Sequence, residues 1–162
     1  MSLQLFQKVM RNYNKLKVQL YNKCVEFADQ RINNIQSALV NASESGNDET
    51  KSSAGDKHET GRAMMQLEQE NNSAQLIEAL ELKKNISKIN PHQQSSTIKP
   101  GSLVITNKGV FYISISVGKI QLGDVVYYAV SPVSPIASKL MGMSANEEID
   151  FNGQLLKIIS ID

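Results

Sequence analysis

The first half of the chain repeats apolar positions mostly in steps of three and four. Between residues 9 and 42 these positions form one continuous series, with no Pro or Gly before Gly46. This spacing places the apolar side chains on one side of an α-helix. The pattern therefore predicts a long amphipathic helix with an apolar stripe of Val9, Tyr13, Leu16, Leu20, Cys24, Phe27, Ile32, Ile35, Leu39 and Ala42.

A second helical pattern extends from about Thr60 to Ile89, and Asn90-Pro91 ends it because proline cannot continue a helix. Its predicted apolar stripe is Ala63, Leu67, Ala74, Ile77, Leu80 and Ile86. Ser, Gly, Asn and Asp dominate the segment Ser43–Asp56 between the two patterns, and these residue types favour a turn.

Two amphipathic helices joined by a turn predict an antiparallel coiled-coil hairpin over residues 1–90, with its tip near residues 44–59. We expect five large side chains to pack between the arms of this hairpin: Leu20, Phe27, Ile35, Leu67 and Ile77.

After a polar linker at residues 91–98, the composition of residues 99–162 changes to Val, Ile, Tyr and Gly. Asn152-Gly153 is a two-residue hairpin signal, and Ser134, Pro135 and Gly142 mark the start and end of one short helix. The predicted fold class is α+β, a helical hairpin followed by a small antiparallel sheet with one helix. The predicted strands are Ser102–Thr106, Val110–Val117, Val125–Val130, Glu148–Phe151 and Leu155–Ile161.

Charge is distributed unevenly along the predicted hairpin, although the whole chain carries only +1. Residues 1–31 have a local balance of +4, whereas residues 44–59 have a balance of −3. Carboxylates gathered on a projecting loop are ligands suited to Mg²⁺, but acids also simply keep a loop solvated. Both interpretations of the acidic tip remain open at this point.

Several classes of protein are disfavoured by composition. The one cysteine, Cys24, lies in the predicted apolar stripe and has no partner for a disulfide, so we expect a packing role and a cytoplasmic location. No apolar run is long enough to cross a bilayer. His58 and His92 are the only histidines, and neither an HExxH nor a GxSxG motif occurs, which disfavours a self-standing hydrolase or synthase.

The segment from Ser131 to Ile161 resembles the end of the bacterial Gre transcript cleavage factors. Ser134-Pro135-Ile136-Ala137 is similar to the family's helix start, and Leu140-Met141-Gly142 to its helix end, followed by an acidic stretch and a final strand. In the predicted tip, Gly55-Asp56-Lys57-His58-Glu59 is similar to the family's Gly-Asp-x-x-Glu. The preceding helical hairpin is also the family's architecture.

This resemblance implies an FKBP-like domain that docks on RNA polymerase, and a coiled coil that enters the secondary channel and stimulates cleavage of backtracked RNA. It implies that Asp56 and Glu59 are the catalytic, Mg²⁺-binding carboxylates that act on the nascent RNA 3′ end within the polymerase. The protein would then be a monomeric accessory factor and not an enzyme by itself. The implied docking residues are Ser131, Pro132, Ser134, Pro135 and Ile136.

The tip departs from the family pattern, and this keeps alternatives open. Thr60-Gly61-Arg62 stands where the family usually has Asn and then Tyr, and Asp48 and Glu49 are additional acids that could take over the metal. Some members of the wider family with altered tips inhibit polymerase, so a non-cleaving channel-binding regulator is the alternative. A prolyl isomerase is a weaker rival, because this domain offers only Phe111, Tyr112, Tyr127, Tyr128 and Phe151 for an aromatic pocket.

Overall fold

The computed structural model describes residues 13–49 and 55–162, and the side chains of residues 13–44 and 59–162. The predicted stripe residue Val9 lies outside them. Two long helices come first and a mixed sheet with one short helix follows, which confirms the α+β class. The elements are α1 Tyr13–Glu49, α2 Gly55–Ser87, β1 Leu103–Thr106, β2 Val110–Ile113, β3 Gly118–Leu122, β4 Val125–Val130, α3 Pro135–Leu140, β5 Glu148–Phe151 and β6 Gln154–Ile161.

The chain divides into two compact units. The sheet unit contains Asn85–Asp162 together with the described residues of α1 up to Glu26, and the helical unit is Phe27–Lys84. The domain boundaries predicted at residues 90 and 98 stay a prediction. Neither α1 nor α2 is long and apolar enough to span a membrane.

The sheet is mixed and not antiparallel throughout, so the prediction of an antiparallel sheet is wrong at one pair. Its strands lie in the order β3-β4-β2-β1-β6-β5, and β2 pairs with β4 in parallel while the other neighbours are antiparallel. The parallel pair arises because β3 occupies the edge. The chain leaves β2, forms the β3–β4 hairpin, and returns with β4 between β3 and β2.

The predicted strand Val110–Val117 is also wrong in extent, because β2 ends at Ile113 and a separate strand, β3, begins at Gly118. The positive φ of Gly118 (88°) is a conformation that favours glycine. The Asn152-Gly153 turn is confirmed. Both of its residues have positive φ (55° and 75°), as a two-residue hairpin turn between β5 and β6 requires.

One hydrophobic cluster lies between the sheet and α3. It consists of the buried side chains of Ile98, Val104, Phe111, Ile113, Ala137, Leu140, Leu156 and Ile158. The short helix is held as the sequence predicts, because the Ser134 side chain accepts a hydrogen bond from the Ala137 amide and Gly142 follows the helix with φ 79°. Ile98 joins the cluster because its backbone bonds to the segment after α3, at Met143 (2.9 Å) and Gly142 (2.8 Å).

Within the sheet unit, the first part of α1 packs against the strands and the linker. Cys24 Sγ lies 3.5 Å from Ser114 Oγ, and the Tyr13 hydroxyl lies 2.8 Å from Ser160 Oγ. The fully buried Lys17 donates to the Gln93 carbonyl at 2.5 Å. These contacts join helix and sheet into one core.

Lys17 also forms an ion pair with Asp162 at 3.5 Å. Burial lowers the pKa of Lys17, and the carboxylate of Asp162 opposes this effect. A buried amine is tolerated in a core only when such partners compensate for the water it loses. The ion pair therefore makes the buried position of Lys17 possible.

In the helical unit, α1 and α2 are connected by two ion pairs. Asp29 pairs with Lys83, and Arg31 pairs with Glu78 at 3.5 Å. Ala28 and Ala79 are fully buried and Ile35 is nearly so, while Phe27 is half-buried. Small buried side chains of this kind allow two helices to approach each other closely.

The predicted apolar stripe of α2 is wrong. Leu67 is 57% exposed and Ile77 is 65% exposed, so neither packs between the helices. The covered side of α2 carries Met65, Asn72, Leu76, Ala79 and Ile86, of which only Ile86 belongs to the predicted stripe. Because α2 has apolar residues on two sides, spacing alone does not identify the side that its neighbour covers.

The predicted turn Ser43–Asp56 is largely helical. The first helix continues through Gly46 to Glu49, and the second begins at Gly55, five residues before the predicted start. Extending a helix that is already formed needs no new nucleation, so α1 and α2 can extend into residues of weak helix propensity such as Ser, Gly and Asn. The residues between the helices, 50–54, lie outside the described part of the chain.

Candidate functional site

The four candidate acids of the tip lie at the two helix ends that face the connection. Asp48 and Glu49 are the last two residues of α1, whereas Asp56 and Glu59 are the second and fifth residues of α2. The Glu59 side chain is exposed. The side chains of Asp48, Glu49 and Asp56 lie outside the described residues.

The helical start at Gly55 has a direct consequence for the predicted catalytic pair. Asp56 and Glu59 are three residues apart in a helix, so their backbone positions share one side of α2. Asp56 lies in the first turn, where the helix dipole favours negative side chains, and Glu59 begins the second turn, where this effect is already weak. Asp48 and Glu49 lie at the C-terminal end of α1, where the helix dipole disfavours negative side chains. The helix dipole therefore favours a carboxylate at Asp56 over one at Asp48 or Glu49.

Two carboxylates cannot by themselves complete the shell of a hard divalent cation, which takes six or more oxygen ligands. Among residues 13–44 and 59–162, whose side chains are described, no group of three His, Cys, Asp or Glu side chains could hold a metal ion. The donor type of Asp56 and Glu59 suits Mg²⁺, but a site built on them needs further ligands from another molecule.

The predicted docking segment forms a turn that leads into α3. The Ser134 amide donates to the Ser131 carbonyl at 2.9 Å, and Pro132 occupies the second position of this turn, which its fixed φ suits. Ser131 Oγ accepts from the Val133 amide at 3.4 Å, and Ser134 Oγ accepts from the Ala137 amide at 3.4 Å. Both serine hydroxyls are thus used within the turn and the helix cap.

The turn exposes a residue that the sequence reasoning missed. Val133 is 87% exposed, whereas Ser131, Pro132, Ser134 and Ile136 are half-buried and only Pro135 among the predicted residues is exposed. Ile136 packs against the hydrophobic cluster under α3. Val133 could have been identified from the sequence, because it occupies the third position of a Ser-Pro-x-Ser turn. The side chain at that position points away from the turn.

The aromatic residues of the sheet unit do not form an open pocket. Tyr112 and Tyr127 are buried, and Phe111 stacks on Tyr128 with ring centroids 5.6 Å apart. Phe151 lies beneath the Lys139 amine, 5.9 Å from its ring centroid. The five aromatic residues of residues 99–162 therefore have packing roles in the sheet unit.

Cys24 has the surroundings of a packed thiol and not of a nucleophile. It is fully buried, and burial raises its pKa to about 11, an effect that the hydrogen bond to Ser114 reduces. A nucleophilic cysteine needs the opposite shift, which a nearby cation or helix N-terminus produces. The structure therefore agrees with the predicted packing role of Cys24.

Neither a scan against protein-family models nor searches of curated proteins and of solved structures finds a match to this chain.

Proposed function

We propose that this chain is a transcription elongation factor that binds RNA polymerase, inserts its paired helices into the secondary channel and stimulates cleavage of backtracked RNA. The observation that carries the proposal is the helical unit, in which α1 and α2 are ion-paired and acids occupy the end of one helix and the start of the other. The resemblance of residues 131–161 and 55–59 to the Gre factors supplies the identity of the partner.

The ion pairs support an antiparallel coiled coil. Moving forward in α1 from Asp29 to Arg31 corresponds to moving back in α2 from Lys83 to Glu78, which is the order of antiparallel neighbours. Within the helical unit α1 extends from Phe27 to Glu49, about 34 Å at 1.5 Å per residue. A pair of helices of that length could carry its terminal acids into a channel too narrow for a globular domain.

The sheet unit is the proposed docking domain, with an FKBP-like arrangement of one short helix on a sheet. The turn of residues 131–136 presents Val133 and Pro135 to solvent, while the remaining predicted docking residues hold the turn in place. An exposed apolar side chain on a hydrogen-bonded turn costs little entropy when it binds, because the backbone is already ordered. We therefore assign contact with polymerase to Val133 and Pro135.

In this proposal Asp56 and Glu59 each offer carboxylate oxygens to a Mg²⁺ ion whose other ligands belong to the polymerase active site. A second metal in such a site supplies an activated water and neutralises charge on the cleaved phosphodiester. The contribution of this chain is to carry both acids on the first turns of one rigid helix, next to the nascent RNA 3′ end. The chain would be inert alone, and its working place would be the cytoplasm, as a monomer.

The decisive experiment is a transcript-cleavage assay on backtracked complexes of polymerase from the same organism. Asp56→Ala with Glu59→Ala should eliminate stimulated cleavage and leave polymerase binding intact. It should also change the free energy of unfolding by less than about 1 kcal/mol, since exposed acids contribute little to stability. Asp48→Ala with Glu49→Ala tests the rival pair separately.

The matched control is Glu68→Ala with Glu81→Ala, which removes the same charge from two exposed positions of α2 outside the tip residues 44–59. This control should cleave like the wild type. If it loses cleavage to the same degree as the Asp56 and Glu59 variant, the acids act through net charge, and the assignment of a metal-binding pair is wrong.

A second candidate is a regulator that occupies the channel without cleavage. Thr60-Gly61-Arg62 follows the acidic pair, where the cleaving family usually has Asn and then Tyr. This reading predicts that wild-type protein binds backtracked complexes, produces no Mg²⁺-dependent cleavage above background, and slows nucleotide addition.

A further inference from the structure

The helical unit has a second apolar surface, on the side of α2 away from its covered face. Ala63, Leu67, Ala74 and Ile77 follow one another at intervals of four, seven and three residues, which keeps them on one side of the helix. Met64 and Leu80 flank them, 68% and 50% exposed. We call these six residues the outer stripe.

The outer stripe is separate from the side of α2 that is covered within the unit. Ala79 is fully buried there, and it lies two residues after the exposed Ile77, roughly 200° further around the helix. A helix on a protein surface normally has one apolar side, whereas α2 has two. Contiguous exposed apolar side chains of this kind mark interaction sites.

The spacing of the outer stripe is that of a coiled-coil seam. Glu70 and Glu81 occupy the two positions that complete the alternation of threes and fours begun by Ala63 and Leu67. Neither glutamate forms an ion pair with another described residue, although Gln66 donates a hydrogen bond to Glu70 at 3.2 Å. The alanines leave room for the backbone of another helix to approach closely.

Glu70 and Glu81 determine which kind of helix can bind to the outer stripe. A helix that covers the stripe removes Glu70 and Glu81 from water, and this is costly unless it brings cations. A second copy of α2 in parallel would place each glutamate against the same glutamate of the other copy, so like charges would meet. An antiparallel copy would bring Arg62 near Glu81 but no cation to Glu70. We propose that the outer stripe binds an amphipathic helix of a partner protein that carries Lys or Arg beside its apolar side.

The size of the stripe limits the affinity. Residues 63–81 span about 27 Å of helix, and one helix laid along them covers less than the roughly 800 Å² per partner of a standard interface. We therefore expect weak, salt-sensitive binding, because part of it depends on partly exposed charges. None of the residues in the stripe is assigned to cleavage or to docking, so this site can exist even if the proposed function is wrong.

The test uses the full chain and a fluorescein-labelled synthetic helix of about three heptads, with Leu at both seam positions and Lys beside them. Fluorescence anisotropy should show binding that weakens as salt is added. Leu67→Ser with Ile77→Ser should weaken it about tenfold, a loss of about 1.4 kcal/mol. Val40→Ser, an equally exposed apolar position on α1, is the matched control and should bind like the wild type.

Charge is tested separately by Glu70→Gln with Glu81→Gln, which keeps the stripe's shape and should weaken binding and reduce its salt dependence. A second peptide with Glu in place of Lys should not bind. The proposal is overturned if the Leu67→Ser, Ile77→Ser variant binds as tightly as the wild type, or if both peptides bind alike. It is also overturned if sedimentation shows wild-type dimers that this variant lacks, since a second copy then covers the stripe.

Discussion

The buried thiol of Cys24 makes the stability of the sheet unit sensitive to alkaline pH. Burial raises its pKa from 9.0 to about 11, because the thiolate would lie between α1 and the sheet without water. A difference of this size corresponds to about 3 kcal/mol. The unfolded chain releases this proton above about pH 9, while the folded chain retains it up to about pH 11.

The sign follows from which state holds the proton. Because the pKa of Cys24 is higher in the folded than in the unfolded chain, its contribution to the free energy of unfolding is fully present below the unfolded pKa. This contribution is lost as the pH rises through the folded pKa. Urea unfolding between about pH 8 and pH 11 should therefore show a falling free energy of unfolding. In Cys24→Ser, whose hydroxyl does not titrate in this range, the fall should be smaller by about 2–3 kcal/mol.

Tyrosines complicate the upper end of the range, and a second variant separates them. Burial raises the pKa values of Tyr112 and Tyr127, so their contributions are lost only above about pH 10. Tyr127→Phe should leave the loss between about pH 8 and pH 10 unchanged. If wild type and Cys24→Ser lose stability in parallel from about pH 8 upwards, Cys24 is not desolvated in the folded protein and its packing role is wrong.

Three further predictions follow from the burial of particular side chains. Leu20→Ala should lower the free energy of unfolding by about 2–5 kcal/mol in urea titrations, because Leu20 is fully buried. Leu67→Ala should lower it by less than about 1 kcal/mol, because Leu67 is exposed. Equal losses would contradict the assignment of buried and exposed helix faces. Val133→Asp should abolish binding of polymerase in a pull-down without loss of stability, whereas Ile136→Asp should also lower stability. If the Val133→Asp variant still binds polymerase, the docking role of Val133 is wrong. Asn72→Leu should raise the free energy of unfolding by about 1–2 kcal/mol, because Nδ2 of Asn72 is buried without a hydrogen-bond partner among the described residues. A loss of stability in thermal or urea unfolding would indicate that Asn72 does have a hydrogen-bond partner.

The face of α1 could be predicted from the sequence, but the face of α2 could not. Leu16, Leu20, Cys24 and Ile35 are buried, as their spacing indicates, since α1 has one dominant apolar side. In α2 the covered side includes the polar Asn72, whereas the outer stripe also carries large apolar residues, among them Leu67 and Ile77. The covered side is determined by which residues meet α1, and that information is not contained in the spacing of α2 alone.

The strands show a similar limit. The buried strands β1 and β2 could be predicted because nearly every position is apolar, but the edge strand β3 has only Ile120 buried among five residues. The other edge strand, β5, has no buried residues but could be predicted because Asn152-Gly153 follows it, whereas no run of apolar residues marks β3. The presence of β3 becomes clear only from the hydrogen bonds to β4, with Ile120 opposite Tyr127.

In the turn of residues 131–136, which is proposed as the docking segment, each residue has its own structural role. Ser131 and Ser134 use their hydroxyls to bond the backbone of the turn and of α3, so replacing them would test the local fold before it tested any contact. Ile136 likewise contributes to the core. Val133 and Pro135 are the exposed residues of this segment, so they could contact a partner without losing a packing contact or a side-chain hydrogen bond. The resemblance proposes the segment, and burial and hydrogen bonding leave Val133 and Pro135 as the two residues on which the proposed binding would depend.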